Sequence, residues 1–245
     1  KSSRAKLAIP INAFVADEVD LQRDQFLRVN NTKPLPRGLI TELLPEVSTI
    51  LPVKMAAKRI PSAICDWLGR TPKSPFFGLV RRASTPDSER GTAVIADASI
   101  VRMIEESLSS PSGCLFPFRN MATGETDFDG ICNLLVVYWT AVRKVFSDAW
   151  GKAPETSRLM HGAGIRSMGR LMDRVMPALA AREAKAVDLA ARELRLVAPV
   201  CRWTEGSWDE LGGLKWNEVQ NVPRHINLLA NVLVRAYLKA KGLAS

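Results

Sequence analysis

Paired cysteines, histidine clusters and long apolar runs are all missing from this chain. The four cysteines, Cys65, Cys114, Cys132 and Cys201, stand far apart and form no C-x-x-C pair. That spacing excludes the usual zinc sets. It suits reduced core thiols, so a cytoplasmic location is expected. Histidine is limited to His161 and His225, and no metal is expected. Neither histidine has a Ser/Asp or Cys/Asp partner recognisable by motif. The longest apolar stretch, residues 131–139, is interrupted by Asn133. It falls short of the roughly 18–20 residues that span a bilayer, so no membrane association is expected. A secretory leader is not visible either, because Pro10 and Asn12 break the first apolar run and Asp17 follows. The chain starts at Lys1 and enters a strand-like run almost at once. It reads as a piece whose domain begins upstream.

What is present is a basic, globular composition. Of 245 residues, 47 % are hydrophobic and 24 % charged, with a formal net charge of +9. Such a balance favours anionic partners, nucleic acid first among them. Residues 1–60 carry ten Lys/Arg against six Asp/Glu, and residues 151–245 carry fifteen against nine. Basic surface should therefore come from the two ends of the chain.

Hydrophobic spacing predicts an α+β protein that is predominantly helical. Residues 7–15 read as a strand and 17–28 as a helix. Residues 38–44 read as a short helix stopped by Pro45, and 52–68 as a helix kinked at Pro61. Residues 76–80 and 92–95 are β-rich and expected to pair. A helix capped by Asp97 or Ser99 follows to Leu108, then a loop over 109–120. Helices are expected at 127–150, 161–176, 178–198 and 222–241. With all strands in the first hundred residues, residues 1–123 should form a small mixed α/β part. Residues 124–245 should form an all-helical part.

Four stretches could carry chemistry. Residues 30–36 (NNTKPLP) put two amides, a hydroxyl and a lysine after a helix, groups that suit phosphate oxygens. The same composition also makes a helix C-cap and connector. In residues 161–176, Arg166, Arg170 and Arg174 recur every fourth residue. Met168, Met172 and Met176 recur about 200° around the helix. The methionines, with Leu171 and Val175, should face the core. The arginines could lie along a phosphate backbone or form a solvated face with Asp173 and Glu183 as partners. Gly162, Gly164 and Gly169 would permit close backbone approach. HGAG is no phosphate loop, since it lacks the GK[ST] ending and a preceding strand. His161 should cap or pack at the helix start. Glu125, Asp127 and Asp129 could hold Mg²⁺ or simply open a helix. The last helix carries Arg224, Arg235, Lys239 and Lys241, with Ile226, Leu229, Leu233, Ala236 and Tyr237 as its apolar stripe. It should dock on the core, or contact a partner or DNA.

The segments INAFVADEVDLQRDQFLRVNNTKPLPRGLI, LSSPSGCLFPFRN, TGETDFDG, DAWGKAPETSRLMHGAGIRSMGRLMD and QNVPRHINLLANVLVRAYL together resemble the DGQHR-domain family. That group includes DndB and the DpdB-like proteins. The resemblance implies a fold similar to ParB-type nucleotide-binding domains. It also implies an accessory role beside DNA-modification enzymes in a defence system, with ATP and Mg²⁺ as cofactors and DNA as partner. Matching positions make Asn30, Asn31, Thr32 and Lys33 nucleotide-binding candidates. Arg158, in RLMHGAGI, joins Arg166, Arg170 and Arg174 as a candidate DNA contact. The Asp-Gly-Gln-His-Arg pentapeptide itself is absent, so ATP hydrolysis is expected only if that motif lies upstream. The alternative is a non-catalytic DNA-binding regulator of such a system. Homo-oligomers are compatible with either reading, and a nuclease is the weakest of the three.

Overall fold

The computed structural model describes residues 42–46 and 53–243, except 87, 89, 90, 180, 182 and 183, together with positions 18, 19, 22 and 25. The strand expected at 7–15 and the loop at 30–36 lie outside the described residues. The described part is mostly helical with two small two-stranded sheets, as α+β patterning predicts.

A 3-10 turn at Leu44–Glu46 precedes α1 (Val53–Arg70), which continues through Pro61. Its inner face buries Ile64, Cys65 and Leu68. The expected β pair exists but is shorter, and it is parallel: β1 (Val80–Arg81) against β2 (Ile95–Ala96), with Val80 opposite Ile95. Residues 76–79 turn instead of extending, because Gly78 takes φ +71, a conformation that breaks a strand.

β2 leads directly into α2 (Asp97–Ser109), where Asp97 Oδ1 accepts from the Ala98 N–H at 2.5 Å. A 3-10 turn at Phe116–Phe118 follows. Then comes α3 (Phe128–Val145), capped by Asp127, whose Oδ1 accepts from the Gly130 N–H at 2.9 Å. The acid-rich TGETDFDG run is therefore used as a helix start. Among the described residues, no group of three or more His, Cys, Asp or Glu could hold a metal ion.

α4 (Gly162–Val175) is capped by His161, whose Nδ1 accepts from the Ala163 N–H at 3.4 Å. Burial and the nearby Arg158 guanidinium push the His161 pKa below its ordinary value. The ring is thereby kept in the neutral form that can accept. Met168, Met172 and Met176 are buried along with Leu171 and Val175, as the periodicity predicts. α5 (Ala186–Arg195) is shorter than the expected 178–198, with 3-10 turns at Met176–Ala178 before it and Ala198–Val200 after it.

The second half is not exclusively helical, which corrects the sequence expectation. β3 (Ser207–Trp208) pairs antiparallel with β4 (Leu214–Lys215). Gly212 and Gly213 turn the chain at φ +74 and +77. Only two residues extend on each side, too few to give a readable alternation. α6 (Pro223–Ala240) closes the fold, burying Ile226, Leu229, Leu233 and Tyr237. The stripe read from spacing is the docked face, with Ala236 half-buried at its edge.

One buried cluster runs from Ile64 of α1 to Tyr237 of α6 and includes residues on both sides of position 123. At its centre Tyr138 and Trp139 of α3 are fully buried. The Tyr138 hydroxyl donates to the Met168 carbonyl at 2.7 Å, tying α3 to α4. Phe76 packs on both Trp139 and Trp150, with ring centroids 5.1 and 5.5 Å away. Among the described residues no helix is long and apolar enough to cross a membrane.

Candidate nucleic-acid interface

The arginine ridge of α4 sits between α2 and α6, and this position decides what each arginine can do. α4 crosses α2 closely because Gly169 has no side chain: a Cβ there would lie 2.2 Å from Met103 Cγ. At the start of α4, a Cβ on Gly164 would lie 2.1 Å from the Arg158 carbonyl oxygen. The glycines permit the close approach that their spacing suggests.

Glu106 of α2 faces the ridge. Arg166 pairs with Glu106 Oε1, and Arg170 Nε lies 3.5 Å from Oε2. Arg102, one turn earlier on α2, brings its Nε to 3.8 Å of the same carboxylate. The Arg166 side chain is only 15 % exposed, so it belongs to the α2–α4 contact and not to an open surface. Arg170 also donates to Asn227 Oδ1 of α6 at 2.5 Å. Arg174 is exposed and has no ion-pair partner among the described residues.

Of the partners expected for the ridge, Asp173 feels the Arg174 charge but forms no ion pair with it among the described residues. Asp173 accepts from Ser107 Oγ at 2.5 Å and from the Cys114 N–H at 2.9 Å. Burial raises its pKa above the ordinary carboxylate range. Glu183 lies outside the described residues. The actual partner, Glu106, is 60 residues from Arg166 in sequence, a separation that leaves no local signal.

Arg158 is committed elsewhere. Its Nε donates to the Asn217 carbonyl at 3.1 Å, and a terminal nitrogen donates to the Pro154 carbonyl at 3.1 Å. Its other terminal nitrogen also reaches the Asn217 carbonyl. Desolvation lowers its pKa from the ordinary arginine value. The guanidinium fastens two loops together. Asn30, Asn31, Thr32 and Lys33 lie outside the described residues.

The open basic surface is on α6. Arg224, Leu228, Asn231, Arg235 and Lys239 recur every three or four residues and are all exposed, so they share one stripe. Arg224, Arg235 and Lys239 have no ion-pair partner among the described residues. Lys241, by contrast, pairs with Glu193 of α5 at 3.2 Å. Cavities flank the stripe on both sides, and Asn231 lines both. One, of about 350 Å³, also touches Leu228, Arg235 and Lys239. The other, of about 400 Å³, touches Arg170, Arg174, Ser110 and Ser112. The sequence does single out Arg235 and Lys239, but Asn227, Asn231 and the two serines carry no motif. Only the packing of α6 beside α4 brings them to the ridge.

The interface is thus narrower at one end of the ridge than the sequence suggests and wider across to α6. Exposed guanidinium and ammonium groups on adjacent helices, interleaved with amides and hydroxyls, can donate to a row of phosphate oxygens. No family model, curated protein or solved structure matches this chain.

Proposed function

We propose that the protein binds DNA through the face made by α4 and α6, as an accessory of a DNA-modification or defence system. The observation that carries the DNA reading is the set of exposed cations on that face with no ion-pair partner among the described residues, Arg174, Arg224, Arg235 and Lys239. The net charge of +9 agrees with it. Setting it beside modification enzymes, in a ParB-like fold, rests on the resemblance to DGQHR-domain proteins. The same resemblance supports ATP–Mg²⁺ binding by Asn30, Asn31, Thr32 and Lys33. A regulator without catalysis needs only the DNA face.

Binding measured against salt tests the DNA reading. Each phosphate contact contributes about 0.9 to the slope of log K on log salt. Replacing Arg174, Arg235 and Lys239 with alanine should lower that slope by about 2–3. An unchanged slope overturns the interface. A rise in Tm with ATP–Mg²⁺ that Lys33→Ala removes identifies the nucleotide-dependent form. No rise leaves the regulator.

A further inference from the structure

We propose that the cavity between α2, α4 and α6 is a phosphate pocket, built to take one phosphate group from the partner's backbone. The inference rests on the DNA reading above and names the atoms that would seat the strand.

The cavity of about 400 Å³ is lined by Glu106, Ser110, Ser112, Arg170, Asp173, Arg174 and Asn231, with Ala230 and Val234 as its apolar wall. Of its donors, Arg170 is already committed to Glu106 and Asn227, and the others are less engaged. Arg174 has no ion-pair partner, and the Asn231 amide makes no hydrogen bond, among the described residues. The Ser110 and Ser112 hydroxyls lie 3.0 Å apart and share one hydrogen bond. That sharing leaves one hydroxyl proton to donate elsewhere.

Its carboxylates are engaged only in part, since Glu106 Oε2 is buried with no hydrogen-bond partner among the described residues. Glu106 is held by Arg166 and Arg170. Asp173 Oδ1 already accepts from Ser107 and from the Cys114 N–H. The Arg174 guanidinium acts on the same carboxyl and offsets part of its charge. The donors left over, Arg174, Asn231 and one serine hydroxyl, suit a ligand that only accepts. A tetrahedral oxyanion has that property, and guanidinium, hydroxyl and amide donors match it.

The serines are held in place independently of any ligand. The Gly113 N–H donates to the Ser110 carbonyl at 2.8 Å. A Cβ on Gly113 would lie 1.9 Å from the Ser107 carbonyl oxygen. The turn therefore closes tightly onto α2, presenting Ser110 and Ser112 to the arginines of α4.

The test uses the uncharged side chains, so that general basicity is unaltered. Ser110→Ala, Ser112→Ala and Asn231→Ala combined remove donors from exposed or half-buried positions without changing net charge. The combined variant should bind duplex DNA about fivefold more weakly at fixed salt. Equal affinity for wild type and variant overturns the pocket. If Arg235→Ala and Lys239→Ala still weaken binding in that case, the DNA face survives without it. Inorganic phosphate gives an arm that needs no DNA. At constant ionic strength, exchanging chloride for phosphate should raise the wild-type Tm by about 2 °C. The combined variant should show no rise. The same rise in both proteins means an adventitious ion only, and no rise in the wild type equally overturns the proposal.

Discussion

Arg166 of α4 is paired with Glu106 of α2 and is only 15 % exposed at its side chain. The ridge arginine nearest the helix start is thereby an internal tie, even though it continues the same four-residue spacing as exposed Arg174. Removing its partner leaves a poorly solvated cation. Glu106→Gln should lower stability by about 1–3 kcal/mol, less than for a fully buried pair because Glu106 keeps 27 % exposure. Urea unfolding measures it. DNA affinity should not fall, since the change also removes a negative charge from the interface.

Arg166→Ala and Arg174→Ala should separate cleanly. The first should lower the urea midpoint and leave the salt slope of DNA binding near the wild-type value. The second should leave the midpoint unchanged and reduce the slope by about 0.9. Equal slope losses in both would place Arg166 on the DNA after all.

Tyr138 is fully buried, and its hydroxyl donates to the Met168 carbonyl at 2.7 Å. Tyr138→Phe keeps the ring and removes this second hydrogen bond to a carbonyl that the helix still pairs. The cost should be about 0.5–1.5 kcal/mol by chemical denaturation. A change below about 0.3 kcal/mol would mean that the bond contributes nothing net.

Gly164→Ala tests the close approach at the start of α4. The added Cβ would meet the Arg158 carbonyl at 2.1 Å, a backbone atom that cannot swing aside. A loss of about 1–3 kcal/mol is expected, where alanine in an open helix would instead stabilise.

Asp173 sets a pH dependence. Burial raises its pKa in the folded chain, so the folded state holds the proton more tightly than the unfolded one. Stability from this group is full below the ordinary carboxylate value and is lost as pH rises through the raised folded value. Asp173→Asn keeps an acceptor for Ser107 and Cys114 and cannot ionise. As pH falls from neutral into the carboxylate range, the wild type should gain unfolding free energy relative to this variant. Parallel curves would assign the dependence to other acids, with Asp97, also raised by burial, the next to replace.

Several features were decided locally and are legible in the sequence alone. The methionine face of α4, the apolar stripe of α6 and the capping roles of Asp127 and His161 follow from spacing and from the first turn's unsatisfied amides. Basic surface at the C-terminal end follows from composition. Tertiary structure decided the rest. Which arginines are free depends on Glu106, brought from α2 by packing that Gly169 permits. The parallel sense of β1 and β2 depends on a crossover, and the short β3–β4 hairpin on two glycines at positive φ. Ser110, Ser112 and Asn231 converge on one cavity only because α6 lies beside α4. Periodicity reports which face of a helix is apolar, whereas an ion pair or a pocket joins residues some 60 to 120 positions apart. Such pairings arise from the shared core, whose geometry no single stretch of the chain encodes.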